Sequence, residues 1–240
     1  MPDPPSALRP SAAGTGRPDG GRPAARPPAG PGVAAPVLLT AAAVVYNDWL
    51  LAFVLPTGLD PRHSYVSELY AVDQPFHHFF SAIEILAAVL VTAGALLALR
   101  GARGRWAQAG WWSLVAFGAA SVADVVIPMR CAPSVEAGCE AVNPWHTSTS
   151  ALVHAALFAS MALLVVAAAT APPGSGCPLV RRLGPWVLGS ALTTALATVG
   201  PLFGRPGWHG VPQRAHLALV GVWFLLLARS LDRAAAAAGQ

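Results

Sequence analysis

Three residues within apolar stretches of the sequence carry side chains that bind divalent metals. Asp124, His154 and His216 supply one carboxylate and two imidazoles, a ligand set that zinc accepts while a fourth position stays open for water. This set predicts a metal-dependent hydrolase or transferase that acts on lipid. The candidate catalytic residues, two as general bases and one to orient the water, are Glu68, Glu84 and Ser67.

The same polar residues also fit a binding site without catalysis. A charged side chain in a bilayer core costs several kcal/mol, so such residues face a bundle interior or a cavity. Polar contacts between membrane helices average only ~0.6 kcal/mol each, which is a weak reason to keep several ionisable groups. The sequence therefore favours a cavity for a lipid headgroup or a small polar ligand, with the metalloenzyme as the alternative. A proton relay is less favoured, because the acids are predicted in one half of the bundle.

Helical spacing predicts that these polar residues share one cavity. His146, Ser150 and His154 step by four, which places them on one face of a helix. Further pairs or triplets with the same property are His77 with Ser81 and Glu84, Ser121 with Asp124, Gln213 with His216, and Thr194 with Thr198. Every stripe lies near the same end of its predicted helix, so we expect the stripes to face one another.

The composition of the chain is that of a multi-pass membrane protein. Of its 240 residues, 55% are hydrophobic and only 11% are charged, whereas about 25% are charged in a soluble domain. Six apolar stretches are each close to the ~20 residues that a helix needs to cross a bilayer. They lie at about residues 33–55, 75–99, 106–128, 149–170, 185–203 and 212–231. The predicted fold is therefore an all-α transmembrane bundle of six helices.

The arginines predict the orientation of the bundle. All 15 basic residues are arginine, and most lie before the first stretch, after the last, or in every second loop. By the positive-inside rule, both termini are cytoplasmic. The arginine-only, Ala-, Gly- and Pro-rich composition is typical of a GC-rich bacterial sequence, which predicts the bacterial plasma membrane. The arginines form no single basic face, so nucleic acid is not an expected partner.

The chain divides into three parts. Residues 1–32 are rich in Pro, Gly and Arg and lack aromatic residues, which predicts a disordered cytoplasmic tail. Residues 33–232 form the transmembrane domain, and residues 233–240 a short cytoplasmic tail. The sequence carries no signal for an oligomeric state.

The cysteines agree with this topology. Cys131 and Cys139 flank a short segment in a loop predicted to lie outside, where an oxidising compartment permits a disulfide. Cys177 lies alone in a loop predicted to lie inside. We expect a Cys131–Cys139 disulfide; two free thiols are the alternative.

Four motifs in the same order resemble one family of bacterial membrane proteins, domain-of-unknown-function family 998. They are YVSELYA at 65–71, DVVIPMRCAPSVEAGCE at 124–140, the run from Trp145 to His154, and GVPQR at 210–214. The resemblance covers about residues 35–232 and implies six transmembrane helices without an established activity. Two positions depart from it: Tyr70 stands where the family has Gly, and Arg130 where many relatives have Asp. If that Asp is a metal ligand in relatives, the role is missing here.

Overall fold

The computed structural model describes residues 33–139, 143–172, 177–205 and 207–238 of the chain. Within these ranges the protein is all-helical and contains no strand. Its six α-helices are α1 Ala34–Val45, α2 His77–Leu99, α3 Arg105–Val126, α4 Pro144–Thr170, α5 Pro178–Leu196 and α6 Gly210–Ala238. Short 3₁₀ segments cover Asp48–Phe53, Val66–Tyr70 and Gly200–Phe203. The disordered tail predicted for residues 1–32 lies outside the described residues.

The six helices form a ring in which each helix packs against the next along the chain. Contacts between α1 and α6 close this ring. The α1–α2 loop (residues 54–76) contacts both the α3–α4 loop and the α5–α6 loop, for example through Val72 N–H to Met129 O at 3.0 Å and Trp208 N–H to His63 Nδ1 at 3.2 Å. These three loops therefore cover one end of the bundle, which we call the covered end.

Five helical segments are long and apolar enough to cross a membrane. They are Ala34–Phe53, which joins α1 to the following 3₁₀ segment, His77–Leu99, Arg105–Val126, Pro144–Thr170 and Gly210–Ala236. The chain is therefore a multi-pass membrane protein, and the predicted six-helix architecture is confirmed. Helix α5 is not among the five, because Arg181 and Arg182 lie in its first turn and dilute its apolar character. Whether α5 spans the bilayer, and hence the common side of the two termini, stays a prediction.

Helix α5 lies earlier in the sequence than its apolar stretch predicts. It begins at Pro178, whose ring suits the first turn of a helix, with Cys177 as the N-cap residue. Pro185, the expected start, lies inside the helix. The chain leaves the helix after Leu196 and forms a turn and the 3₁₀ segment Gly200–Phe203 at the covered end. Helix α6 continues to Ala238, beyond the predicted boundary at residue 232.

Helix α1 ends inside its apolar stretch because the Asn47 side chain takes a helical backbone hydrogen bond. The Asn47 amide donates to Ala43 O at 2.8 Å and accepts from Trp49 Nε1 at 3.0 Å. This amide packs on α6 at Gly221, where a Cβ would lie 2.5 Å from Asn47 Nδ2. A glycine is therefore needed where the two helices approach, as is common between membrane helices.

Three aromatic side chains meet at the centre of the six-helix bundle. Tyr46 at the end of α1, Phe117 of α3 and Phe224 of α6 lie edge to face, with centroids 5.8, 5.7 and 5.8 Å apart. Edge-to-face pairs at this distance contribute about 0.5–1.5 kcal/mol beyond the area they bury. All three residues are buried. They form an aromatic layer below the polar residues of the covered end.

Candidate functional site

The N-terminal end of α6 holds the α1–α2 loop over the covered end. The Arg214 guanidinium is buried and donates to Pro61 O at 2.6 Å and to Ser64 O at 2.9 Å. The next side chain, Gln213, accepts from Val66 N–H at 2.7 Å. A Cβ at position 210 would lie 2.3 Å from Pro61 O, so the loop can approach only a glycine. The segment GVPQR thus binds loop backbone.

Glu68, predicted as a general base, joins two loops instead. Its Oε1 accepts from Tyr65 N–H at 2.8 Å, and its Oε2 accepts from the N–H of Ser134 at 3.0 Å and from its hydroxyl at 2.5 Å. The residue is 1% exposed. Both carboxylate oxygens are therefore engaged, and the bond to Tyr65, the N-cap residue, caps the start of the 3₁₀ segment Val66–Tyr70. Ser67, predicted to orient water, contacts Met129 Sδ at 3.5 Å.

The loop that Glu68 contacts is closed by a disulfide. Cys131 and Cys139 are bonded, with their Cα atoms 6.0 Å apart, while Cys177 is free and half-buried at the opposite end of the bundle. Together the disulfide and Glu68 fix the α3–α4 loop against the α1–α2 loop.

A cavity of about 420 Å³ lies beneath these loops and above the aromatic layer. We call its polar and its apolar lining residues the polar wall and the apolar wall. The lining residues of α5 and of the segment after it are apolar except Thr198, whereas α3 and α4 contribute residues of both kinds. The polar wall includes Glu84, Ser121, Asp124, His146, Ser150, His154 and Gln213. The apolar wall includes Phe158, Leu192, Ala195, Leu196, Val199, Leu202 and Leu217. Among the described residues that line it there is neither Arg nor Lys.

Asp124 is the centre of the polar wall. Its Oδ1 accepts from the hydroxyls of Thr149 at 2.6 Å and Ser150 at 2.7 Å, and its Oδ2 accepts from the Tyr70 hydroxyl at 3.0 Å. His146 Nδ1 lies 3.4 Å from Oδ1 but has Ile127 O closer, at 3.1 Å. Three hydroxyl groups from α4 and the α1–α2 loop therefore satisfy this buried carboxyl.

The two tyrosines of the α1–α2 loop act as hydrogen-bond donors to the bundle. Burial, followed by the charges of Asp124 and Glu84, raises the pKa of the Tyr70 phenol well above its ordinary value. Burial and the nearby Glu68 raise the pKa of Tyr65 to about 12, and its hydroxyl donates to Thr198 O at 3.0 Å. Both phenols consequently keep their protons at neutral pH.

The two histidines of the predicted zinc site lie side by side. The rings of His154 and His216 stack with centroids 5.1 Å apart. Their Nδ1 atoms lie 2.7 Å from Ser150 O and 3.0 Å from Ala191 O, and since a carbonyl only accepts, each Nδ1 carries the proton. His154 lines the cavity, whereas His216 is 1% exposed and its Nε2 has no hydrogen-bond partner in the described part of the chain.

The structure does not bring Asp124, His154 and His216 together as a metal site. Within the described part of the chain, no three His, Cys, Asp or Glu side chains are grouped so that they could hold one ion. Asp124 takes hydroxyl donors, and the histidines stack on each other. The zinc site therefore stays a prediction that this geometry does not favour.

Two further acids lie deeper, at the border of the aromatic layer. Glu84 of α2 is half-buried and lines the cavity, and the Asp48 carboxyl lies against it. Asp48 is 6% exposed, and its carboxyl is hydrogen-bonded to that of Glu84, which requires one of the two to carry a proton. Among the described residues, neither carboxyl takes part in an ion pair.

Most of the predicted polar stripes meet at this cavity. The structure brings together the polar faces of α3 and α4, with Glu84, Gln213 and Thr198 from the neighbouring elements. The stripe members outside the lining are His77, Ser81, Thr194 and His216. Tyr46, Tyr70 and Thr149 belong to the site but were not members of any predicted stripe.

One family model matches residues 30–230, which is most of the chain. Its description is Protein of unknown function (DUF998). The chain belongs to the DUF998 family. The resemblance drawn from its motifs is thereby confirmed. No curated protein and no solved structure matches the chain.

The geometry gives each DUF998 motif of this chain a position in the site. The first supplies Glu68 and Tyr70, the second begins at Asp124, the third provides Ser150 and His154, and the last holds the α1–α2 loop. Tyr70, at one of the two positions where the sequence departs from the expected motifs, bonds directly to Asp124. Arg130, at the other departing position, is exposed. The motifs therefore surround one cavity of a membrane protein of unknown activity.

Proposed function

We propose that this DUF998 protein binds the headgroup of a lipid, or a lipid-like amphiphile, in the cavity at its covered end. The observation that carries the proposal is that one cavity combines acidic and hydroxyl side chains of α2, α3 and α4 with apolar side chains of α5. A headgroup placed at Asp124 and Ser150 would meet hydroxyl and carboxyl groups. The chain attached to it would meet the leucines of α5.

The apolar wall continues onto the outer surface of the bundle. Leu192 and Leu196 line the cavity and are also 43% and 61% exposed, and Ala151 on the facing side of α4 is exposed as well. In a bilayer, such exposed apolar residues face lipid tails. A lipid could therefore place its headgroup inside while its tails stay between α4 and α5.

The proposal also assigns the covered end to the extracytoplasmic side of a bacterial plasma membrane. The positive-inside rule supports this orientation, since the arginine-rich loops lie at the other end. The Cys131–Cys139 disulfide at the covered end supports it independently, because disulfides persist in oxidising compartments. The ligand would then come from the outer leaflet.

Lipid retention by cavity-filling variants tests the proposal. Ala151→Trp places a large side chain at the border of the cavity, whereas Ala169→Trp changes an exposed alanine at the far end of the same helix. We expect mass spectrometry of the protein purified in detergent to find a lipid enriched over the bulk extract. The Ala151→Trp variant should lose this lipid, and the Ala169→Trp variant should keep it.

Two results would contradict the proposal. One is equal lipid retention by both variants and the wild type. The other is stoichiometric zinc in the wild type that disappears in His154→Ala and His216→Ala, which would favour the metal-dependent hydrolase instead.

A further inference from the structure

We infer that the cavity selects an uncharged head rich in hydroxyl groups, such as a sugar or glycerol, over a head that carries a phosphate or an ammonium group. This inference rests on the proposed function and names the class of ligand. It follows from the hydrogen-bonding groups of the cavity lining that no other part of the described chain uses.

The carboxyl groups of the cavity already have partners in the protein. The Asp124 carboxyl accepts hydrogen bonds from three hydroxyl groups, and the Glu84 carboxyl is hydrogen-bonded to that of Asp48. Neither carboxyl therefore needs a cationic head to complete its hydrogen bonds. An anionic head lacks partners as well, because the described lining residues include neither Arg nor Lys, the side chains that usually bind phosphate.

Two imidazole nitrogens of the lining are open acceptors. His154 carries its proton on Nδ1, 2.7 Å from Ser150 O, and His146 does the same on Nδ1, 3.1 Å from Ile127 O. In a neutral ring the other nitrogen, Nε2, is then an acceptor. Neither Nε2 has a hydrogen-bond partner within the described residues, although both histidines line the cavity. A ligand beside these rings therefore gains most from groups that donate.

Two other groups of the lining are open donors. The Gln213 Oε1 accepts from Val66 N–H at 2.7 Å, which leaves the Nε2 amino group without a partner in the described part of the chain. The Tyr46 hydroxyl likewise makes no hydrogen bond to the described residues, while its ring packs edge to face in the aromatic layer. The open groups of the lining thus include uncharged acceptors and uncharged donors.

Hydroxyl groups match this set, because each one can both donate and accept. A quaternary ammonium head has no N–H to offer the two imidazoles, and the oxygen atoms of an ionised phosphate mainly accept. Either charged head would exclude water and leave polar groups of the lining without partners, which lowers affinity. A polyol head can bond to the histidines as well as to Tyr46 and Gln213.

A series of amphiphiles that share one chain and differ in the head tests the inference. Decyl glucoside, decyl phosphate and decyltrimethylammonium are each titrated into the purified full-length protein in a polyoxyethylene detergent, and native mass spectrometry counts the bound molecules. We expect the glucoside to bind at least about tenfold more tightly than either charged compound, a difference of about 1.4 kcal/mol. Glucose alone, titrated in the same way, distinguishes a free sugar from the head of a glycolipid.

Two substitutions locate the contacts. Tyr46→Phe removes only the open hydroxyl and keeps the ring of the aromatic layer, and His154→Phe removes an open acceptor. Each should weaken glucoside binding by about three- to tenfold, the usual effect of one hydrogen bond. His78→Phe, at an exposed position outside the lining, should leave it unchanged. Unchanged binding in both Tyr46→Phe and His154→Phe would overturn the inference.

The possible failures separate the two proposals. If His154→Phe fails to fold, as judged by thermal unfolding, Tyr46→Phe and the order of the compounds on the wild-type protein still decide. If a charged compound binds as tightly as the glucoside and Ala151→Trp abolishes its binding, the cavity binds amphiphiles but the selection is wrong. If glucose alone binds as tightly as decyl glucoside, the selection holds and the lipid part of the proposed function is wrong. If none of the compounds shows binding that Ala151→Trp abolishes, both proposals fail.

Discussion

The Tyr70 hydroxyl donates a hydrogen bond of 3.0 Å to Asp124, linking the α1–α2 loop to α3. This contact fixes the α1–α2 loop, which covers the cavity, to Asp124, whose carboxyl accepts hydrogen bonds from three hydroxyl groups. The α1–α2 loop and α3 are therefore joined by this hydrogen bond. We expect a substitution at Tyr70 to change how much Asp124 contributes to stability, and the reverse.

Tyr70→Phe should lower the free energy of unfolding by about 0.5–1.5 kcal/mol, the usual net value of one hydrogen bond. Chemical unfolding in detergent measures this difference. A double-mutant cycle with Asp124→Asn isolates the contact, because the loss from Tyr70→Phe should shrink when Asp124 is already changed. Fully additive losses would mean that the bond contributes nothing.

Gly210→Ala should destabilise the protein by about 1–3 kcal/mol, because the new methyl group would overlap the carbonyls of Pro61 and Ser64. Gly189→Ala is a matched control in α5, where a Cβ meets no other atom within 4 Å. There the substitution should raise stability by about 0.5–1 kcal/mol through helix propensity. Thermal unfolding of both variants checks the prediction, and equal shifts would refute the docking role of Gly210.

His209 should make stability depend on pH in the mildly acidic range. It is buried beside Tyr65, and burial, followed by the charges of His63 and Arg214, lowers its pKa below the ordinary value. The unfolded chain then takes up the proton first, so the free energy of unfolding falls as the pH drops below about 6.5, by at most about 1.4 kcal/mol per pH unit.

Unfolding midpoints between pH 7 and pH 5 measure this effect of His209. His209→Gln should flatten the pH dependence, and the same change at the exposed His78 should not. A wild-type midpoint that stays constant over this range would show that His209 is not held neutral.

Cys177 should be protected from a membrane-impermeant thiol reagent in intact cells and react after permeabilisation. The predicted orientation places it inside, and burial raises the pKa of its thiol, so its reaction should be slow at neutral pH and faster as the pH rises. An Asp73→Cys variant, with an exposed position in the α1–α2 loop, provides the opposite control. Labelling of Cys177 before permeabilisation would show that the orientation is the opposite of the predicted one.

Helical periodicity predicted several of the residues of α3 and α4 that meet at the cavity. Asp124, Ser150 and His154 meet because apolar flanks fix which face of each helix turns inward, and a spacing of three or four then places polar residues together. Tyr70 and Thr149 were missed. Tyr70 reaches Asp124 through the path of a loop, and loop paths are not encoded in a local period.

The distances between predicted ligands could not be obtained from the sequence either. His216 and His154 are neighbours as expected, but His216 is rotated away from the cavity and bonds to α5. Glu68, a candidate general base by sequence, bonds instead to Ser134, which lies in a loop closed by a disulfide. Periodicity predicts which face a residue occupies, whereas ligand geometry depends on side-chain rotation within that face.

The aromatic layer of Tyr46, Phe117 and Phe224 obstructs the route that a solute would take along the axis of this bundle. A solute moving along the axis would have to part three interlocked rings that belong to three different helices. Such a gate would need α1, α3 and α6 to shift in concert. Entry and exit by the same route demand no such motion, which agrees with the proposed binding of a ligand in the cavity.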